Sequence, residues 1–149
     1  MSRLTVLQAL QTILETQFTR VYVYPDDLTT SFPIEPALPF LSIEEIPAAD
    51  NTTRIRGADW IDVDWFISIF GFVYKGVVAM NTPEDVAAKA LAYPQRDKVK
   101  ALLNANTTLN GTTSPIGRDD IAYNEDVTPV PWGGVGYYGF FFSIPVTSG

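Results

Sequence analysis

Two aspartates, Asp62 and Asp64, stand one residue apart in the segment DWIDVDWFISIFGFVYKG, residues 59–76. Side chains alternate along a β-strand, so both carboxylates would share one face about 7 Å apart, a spacing compatible with a metal site or an acid–base pair. The chain has no histidine and no cysteine, which removes the commonest protein base and frequent metal ligands. No third ligand is evident nearby. We therefore expect a solvated strand face, with no catalytic residue, metal or cofactor. A small carboxylate-dependent enzyme using Mg²⁺ is the alternative.

A second segment with a chemical signature is GVGYYG, residues 134–139, which matches the glycine pattern of dinucleotide-binding loops. That pattern functions between a strand and a helix, because the helix N-terminus binds the pyrophosphate. Here the residues that follow, FFFSIPV, have the composition of a strand. The glycines therefore indicate a strand that bends or packs closely, and they do not predict a nucleotide site.

Composition and charge narrow the functional classes further. The 149 residues and 46% hydrophobic content predict one globular domain, residues 1–149. The net charge of -7 does not favour sequence-specific DNA binding, but it would let DNA pass without being held, since like charges repel. We expect no membrane segment, because no apolar run is long enough to cross a bilayer, and no signal peptide.

Two helices are predicted from hydrophobic spacing and capping residues. Leucines recur at three- and four-residue intervals over about residues 2–18, which is the period of an amphipathic helix. A second helical region covers residues 81–106, where Thr82 suits the N-cap and Pro83 the first helical position. Pro94 is expected to kink this helix or to split it into two pieces.

Segments rich in β-branched and aromatic residues predict strands between and after the helices. The order of strands and helices predicts an α+β domain with a mostly antiparallel or mixed sheet of about four to five strands. The N-terminal helix and the second helix are expected to pack on this sheet. The predicted strands cover residues 20–25, 40–46, 52–56, 60–74, 120–127 and 136–146.

The run from Trp60 to Tyr74 is unusually long for a strand. Fully extended it would cover roughly 50 Å, whereas strands usually end near ~10 residues. Gly57, with Ala58 and Asp59, favours a tight turn between residues 52–56 and this run. We therefore expect the run to bend, or to extend beyond its own sheet as a long β-hairpin arm.

The two faces of this run differ in character. Its odd-numbered residues are apolar and predict a core face, whereas its even-numbered side changes from acidic to aromatic at Phe66. A strand that is apolar on both faces needs two covers, and the second is either a helix of this chain or a neighbouring subunit. Trp132, in the segment TPVPWGGVG, is either a further contact residue or a local packing plug. The residues expected at a subunit or partner interface are Trp60, Phe66, Phe70, Phe72, Trp132 and Tyr137.

Acidic doublets occur in or beside three predicted loops. Individually they are interpreted as solvated turn residues. Collectively they would suit a surface that faces the channel of an assembly. These residues are Asp26, Asp27, Asp119, Asp120, Glu125 and Asp126.

The order of these features resembles the tail terminator and tail-completion proteins of long-tailed bacteriophages. An N-terminal amphipathic helix leads into VYVYP, and a Pro-rich loop leads into PFLSIEEIP. The long strand with its tryptophans, a helix with an acidic cap, a polar loop and the final aromatic strand GYYGFFFSIPV follow. The resemblance extends over nearly the full chain and lies in this order of elements, without a diagnostic motif.

The resemblance implies a structural virion protein and not an enzyme. Proteins of this class form a ring, usually a hexamer, that caps the tail tube and joins it to the connector of the head, with DNA passing through the channel. The implied partners are further copies of the chain, the tail tube protein, the neck or connector protein, and the sheath if the tail is contractile. The implied location is the tail or neck of the virion, after assembly in the host cytoplasm.

Two alternatives remain open from the sequence. Within the same class, the chain would be a head–tail connector or stopper protein of the neck. Outside it, the chain would be a non-viral, cytoplasmic module that binds a peptide or protein through its aromatic surface.

Overall fold

The computed structural model describes residues 3–24, 37–47, 53–56, 59–62, 65–76, 78–123, 128–132 and 135–147. Within these residues the helices are α1 (Arg3–Leu14) and α2 (Pro83–Ala105), and a short 3₁₀ helix spans Arg118–Asp120. The strands are β1 (Val21–Tyr24), β2 (Phe40–Pro47), β3 (Thr53–Arg56), β4 (Asp59–Asp62), β5 (Trp65–Lys75), β6 (Ala122–Tyr123), β7 (Thr128–Trp132) and β8 (Val135–Val146).

The main sheet is mixed and has six strands. Five follow the order β1-β2-β5-β8-β6, and β7 also pairs with β8. β1 runs parallel to β2, whereas all the other pairs are antiparallel. β5 pairs with one edge of β8. Both β6 and β7 pair with its other edge. The structure confirms the α+β class, the mixed sheet and the N-terminal helix.

Both helices pack on one face of this sheet, which we call the covered face. α1 turns its apolar stripe inward, and Leu10 and Leu14 are fully buried. β5 contributes Ile67 and Ile69 to the same cluster, as its odd-numbered side predicted, and β8 contributes Phe142. The hydrophobic stripe of the helix and the two-residue period of the strands therefore meet in one core, which holds the sheet in place.

The predicted hairpin arm is present as a separate two-stranded sheet of β3 and β4. Arg56 is opposite Asp59 at the end of this pair. Residues 57–58, where the turn was expected, lie outside the described residues, as do Val63 and Asp64. The β2–β5 pair ends with Pro47 opposite Trp65, and the β3–β4 pair resumes with Thr53 opposite Asp62. Five residues on one side and two on the other therefore separate the arm from the main sheet. Within the described chain, β3 and β4 pair only with each other.

Two details of the prediction need correction. Of the kink or split expected at Pro94, the split does not occur, since α2 continues from Pro83 to Ala105. The side chain of Thr82 caps this helix by accepting from the Asp85 amide. The strand expected at residues 120–127 is only Ala122–Tyr123 in the described part, and the chain just before it forms the 3₁₀ helix.

The sequence prediction also missed β7. Pro129 and Pro131 lower the strand propensity of this segment. Among the described strands β7 pairs with β8 alone, as an edge strand does, and an edge position tolerates proline because no ladder hydrogen bond is needed on its outer side.

Candidate interface site

The face of the main sheet opposite the helices carries a second set of apolar side chains. The register brings Ile46, Phe66 and Pro145 into one row across β2, β5 and β8. Another row brings Phe70 and Phe141 together across β5 and β8. Residues opposite each other in adjacent strands share a face, so these rows form one continuous surface. We call this side of the main sheet the aromatic face, and its apolar side chains include Ile46, Phe66, Phe70 and Phe141.

Side chains of the aromatic face are partly open to solvent. Phe141 is 38% exposed and Ile46 is 40% exposed, and Phe66 and Phe70 are half-buried. The apolar cluster on this side of the sheet includes no residue from α1 or α2. Large apolar side chains grouped on an exposed surface are typical of a contact with another protein. Phe66 and Phe70, both expected at an interface, are therefore brought together on a surface that a partner can reach.

The other end of the same face is closed within the chain. Phe40 stacks on Phe72 with ring centroids 4.5 Å apart, and Tyr137 meets both rings edge-on at 5.8 and 5.5 Å. Phe72 and Tyr137 are each only 1% exposed. Both residues were expected at an interface, but the structure places them in a small internal cluster, because Phe40 and the strand register bring the three rings together.

The two tryptophans expected at an interface have defined strand positions. Trp60 is opposite Ile55 in the hairpin arm, and Trp132 is opposite Val135 in the hairpin of β7 and β8. Their side chains lie outside the part that the structure describes. The interface role of Trp60 and Trp132 therefore stays a prediction.

The acidic residues do not form a described site. Asp119 and Asp120 belong to the 3₁₀ helix. The doublets Asp26–Asp27 and Glu125–Asp126 lie outside the described residues. Within the described residues, no group of three or more acidic, histidine or cysteine side chains is arranged to hold a metal. The channel-facing role of the doublets stays a prediction.

The first turn of α2 is attached to the sheet through two tyrosines that the sequence did not single out. Tyr74 in β5 is opposite Tyr138 in β8. The Tyr138 hydroxyl donates to the buried Asp85 carboxylate at 3.1 Å, and the Tyr74 hydroxyl donates to Glu84 at 2.7 Å. The hydrogen bond to Glu84, together with the negative charge of that residue, raises the pKa of Tyr74 above its ordinary value of 10.0. These bonds fix the position of α2 on the covered face.

Large exposed apolar side chains also occur in and just before α2, and the sequence prediction did not single them out. Val86 is 69% exposed and Leu91 is 52% exposed, and Met80, just before the helix, is 79% exposed. Val86 and Leu91 are five residues apart, about 140° around the helix axis at 3.6 residues per turn, so they lie on different sides of α2 and do not form one surface. Ala88, three residues before Leu91 and therefore its neighbour on the helix, is buried.

A small recess lies between the second half of α2 and β6, and Lys100, one of its lining residues, is engaged in packing. Lys100 Nζ donates to the Tyr123 hydroxyl at 2.9 Å, and the Arg96 guanidinium lies 5.6 Å from the same ring. Tyr123 in turn stacks on Phe142 at 5.5 Å. These contacts attach β6 to the helix, and they engage Lys100 without a ligand.

No protein-family model matches the chain, and neither does any curated protein. None of the helices in the described part has the length and apolar character that crossing a membrane requires.

Proposed function

We propose that this chain is a structural virion protein that forms a ring, capping the tail tube of a long-tailed bacteriophage and joining it to the connector of the head. The order of helices and strands supports this class of protein, because it resembles the order found in tail terminators. The aromatic face supplies the observation that supports self-association. The ring acts by assembly, without catalysis.

The aromatic face is the single observation that carries this proposal. Phe141 and Ile46 expose apolar surface on a sheet whose other face already holds both helices. Sheets that are apolar on both faces are stable when both faces are covered. A neighbouring copy would supply that second cover.

The hairpin arm supports the proposal independently. Isolated two-stranded hairpins are marginally stable in water, and β3 and β4 have no other strand partner in the described chain. An arm of this kind gains stability when it lies against another subunit. In a ring each subunit would reach its neighbour in this way, through a contact that joins two different surfaces and closes on itself.

The charge of the chain is compatible with a channel for DNA. A net charge of -7 repels the phosphate backbone, so DNA would slide through a ring without being bound. A connector or stopper ring of the neck would share these features. It differs from a terminator in its partner, which would be the head portal and not the open end of the tail tube.

The experiment combines purified chain with tail tubes of the same phage assembled without a terminator, followed by negative-stain imaging and mass photometry. We expect rings at one end of the tubes, with tube length unchanged on further addition of tube protein. Rings that bind isolated head connectors but not tubes would support the stopper role. A chain that stays monomeric with both partners would overturn the proposal of a ring.

Phe141→Ser separates the role of the aromatic face from general stability. We expect this variant to fold but to form few or no rings on tubes, because it removes exposed apolar surface from the contact. Ser143→Ala, on the same side of the same strand, is the matched control and is expected to assemble normally. If Phe141→Ser assembles as well as the native chain, the aromatic face does not carry the contact.

A further inference from the structure

We infer that the two outer edges of the main sheet are closed to strand addition. Gln11 closes the edge at β1, and Pro129 and Pro131 close the edge at β7. Copies of the chain therefore do not join by extending one sheet into the next, which directs association to other surfaces such as the aromatic face and the hairpin arm. The inference goes beyond the proposed ring and does not depend on it, because it concerns the free chain.

The outer edge of β7 has no backbone donor at its two prolines. Trp132 is opposite Val135, so only two residues join β7 to β8, and the pair next to such a short loop is hydrogen-bonded. Hydrogen-bonded and non-hydrogen-bonded pairs alternate along an antiparallel ladder, which puts Pro129 and Pro131 in the non-hydrogen-bonded pairs with their nitrogens turned outward. A proline nitrogen carries no hydrogen, so a strand that arrives at these residues would find carbonyl acceptors without amide donors.

The carbonyl of Gly136 supports this assignment. Gly136 is opposite Pro131, and its carbonyl accepts from the Gly76 amide at 2.9 Å. Gly76 directly follows β5, which lies on the other side of β8 from β7. Gly136 therefore turns its carbonyl away from β7, as a residue in a non-hydrogen-bonded pair does.

The opposite edge of the sheet, at β1, is closed by a side chain. The Arg20 carbonyl accepts from the Leu41 amide at 3.0 Å and so points toward β2. Carbonyl groups alternate in direction along a strand, so the next one, of Val21, points away from β2. Gln11 in α1 donates its side-chain amide to the Val21 carbonyl at 2.9 Å, in a partly buried contact. This acceptor on the outer edge of β1 is therefore already occupied from within the chain.

Both devices have the same physical consequence. An open sheet edge pairs with strands of other chains, and natural proteins suppress this pairing with prolines, short strands and covered edges. β6, which pairs with the same edge of β8 as β7, has only two residues and is a short template for a further strand. The strands of the hairpin arm, in contrast, contain no proline. The main sheet is therefore protected where the arm is not.

Restoring amide donors at the β7 edge tests the inference. Pro129→Thr combined with Pro131→Thr places two outward N–H groups there, and threonine suits a strand without adding a large apolar side chain. We expect this variant to fold but to self-associate in the absence of tail tubes. Two added hydrogen bonds predict a roughly tenfold stronger association than that of the native chain. Size-exclusion chromatography with light scattering measures the association, and infrared spectroscopy shows whether intermolecular strands form.

Pro115→Thr is the matched control, because it makes the same change in an exposed segment outside the sheet. It should associate no more than the native chain. A folded double variant that also associates no more than the native chain, or associates without intermolecular strands, would overturn the inference. If circular dichroism shows that the double variant does not fold, Pro129→Thr alone decides, since Pro129 is exposed and this change restores one donor. Association equal to that of Pro115→Thr would then overturn the inference.

Gln11→Ala tests the β1 edge. The change frees the Val21 carbonyl, so we expect a smaller, several-fold rise in self-association. Gln8→Ala, at an exposed position of the same helix, is the control and should behave as the native chain does. Equal association of the two variants would mean that Gln11 does not protect this edge. All these measurements are made without tail tubes, so their failure is distinct from a failure of the proposed ring.

Discussion

Phe142 and Phe141 follow each other in β8 but lie on opposite faces of the same sheet. Phe142 is fully buried on the covered face, in the cluster that includes α2, whereas Phe141 is 38% exposed on the aromatic face. Neither residue type nor strand propensity distinguishes them. The difference comes from what each face is packed against, and it separates residues that stabilise the fold from residues available to a partner.

The aromatic face is also divided along its length. At one end, Phe40, Phe72 and Tyr137 form a closed cluster. At the other end, beside the start of the hairpin arm, Ile46 is 40% exposed opposite Phe66. The open end and the arm are therefore adjacent along the chain, which is consistent with one continuous contact region.

The largest expected effect comes from removing a ring from the covered face. Phe142→Ala should lower the free energy of unfolding by about 3–5 kcal/mol, because it leaves a cavity in a close-packed core. Phe141→Ala, the adjacent change on the other face, should cost less, about 1–2 kcal/mol in the monomer, because its side chain is already 38% exposed. Urea unfolding of both variants measures the difference. Similar losses for the two variants would mean that the faces are not packed differently.

A smaller effect is expected where the covered face has no room for added atoms. Gly71 is opposite Phe140, and a Cβ atom at Gly71 would overlap the Phe140 ring. Because Phe140 is fully buried, its ring cannot swing away, and Gly71→Ala should cost about 1–3 kcal/mol. Ser68→Ala on the aromatic face is the comparison variant, and we expect little change. Thermal unfolding of the two variants measures this difference. A Gly71→Ala variant that melts at the native temperature would contradict the expected overlap with Phe140.

The sequence predicted the covered face well and the aromatic face only in part. Odd-numbered residues of β5 such as Ile67 were identified as core from the two-residue period alone, because burial by the chain's own helices follows local patterning. Phe66 and Phe72 look alike in the sequence, yet one is half-exposed and the other is closed by Phe40 and Tyr137. That distinction depends on strand register between β2, β5 and β8, which periodicity does not contain.

Other parts of the fold depended on pairing between distant segments. The pairing of β3 with β4 was correctly predicted, because turn-forming residues act locally. β7 was missed, since its prolines oppose a strand unless an edge position is available, and only the tertiary structure provides that edge. The exposed side chains of Val86 and Leu91 were not singled out, because one apolar stripe already accounted for the helix.

The attachment of α2 to the sheet gives the next effect in size. Tyr138→Phe removes the hydroxyl that donates to the buried Asp85 carboxylate at 3.1 Å, and it should cost about 1.5 kcal/mol. Its strand partner Tyr74 makes the corresponding bond to Glu84 at the surface, so Tyr74→Phe should cost less. Chemical denaturation of the two variants compares how much each hydrogen bond contributes to the free energy of unfolding. A larger loss for Tyr74→Phe would indicate that Asp85 is satisfied without Tyr138.

The smallest effect depends on pH and involves Tyr74 alone. The hydrogen bond to Glu84 raises the pKa of the Tyr74 hydroxyl above 10.0, so the folded state holds this proton more tightly than the unfolded state. The resulting stability is fully present below pH 10.0 and is lost as the pH rises through the higher folded value. We therefore expect Tyr74→Phe to melt slightly below the native chain at neutral pH, with the difference shrinking above pH 10.0. Melting curves of both proteins across this range test it, and a difference that stays constant at high pH would mean that the Tyr74 proton does not contribute. The Tyr74 hydroxyl bonds to Glu84 in the first turn of α2, so a measurable loss would also show that this bond between β5 and the helix contributes to stability.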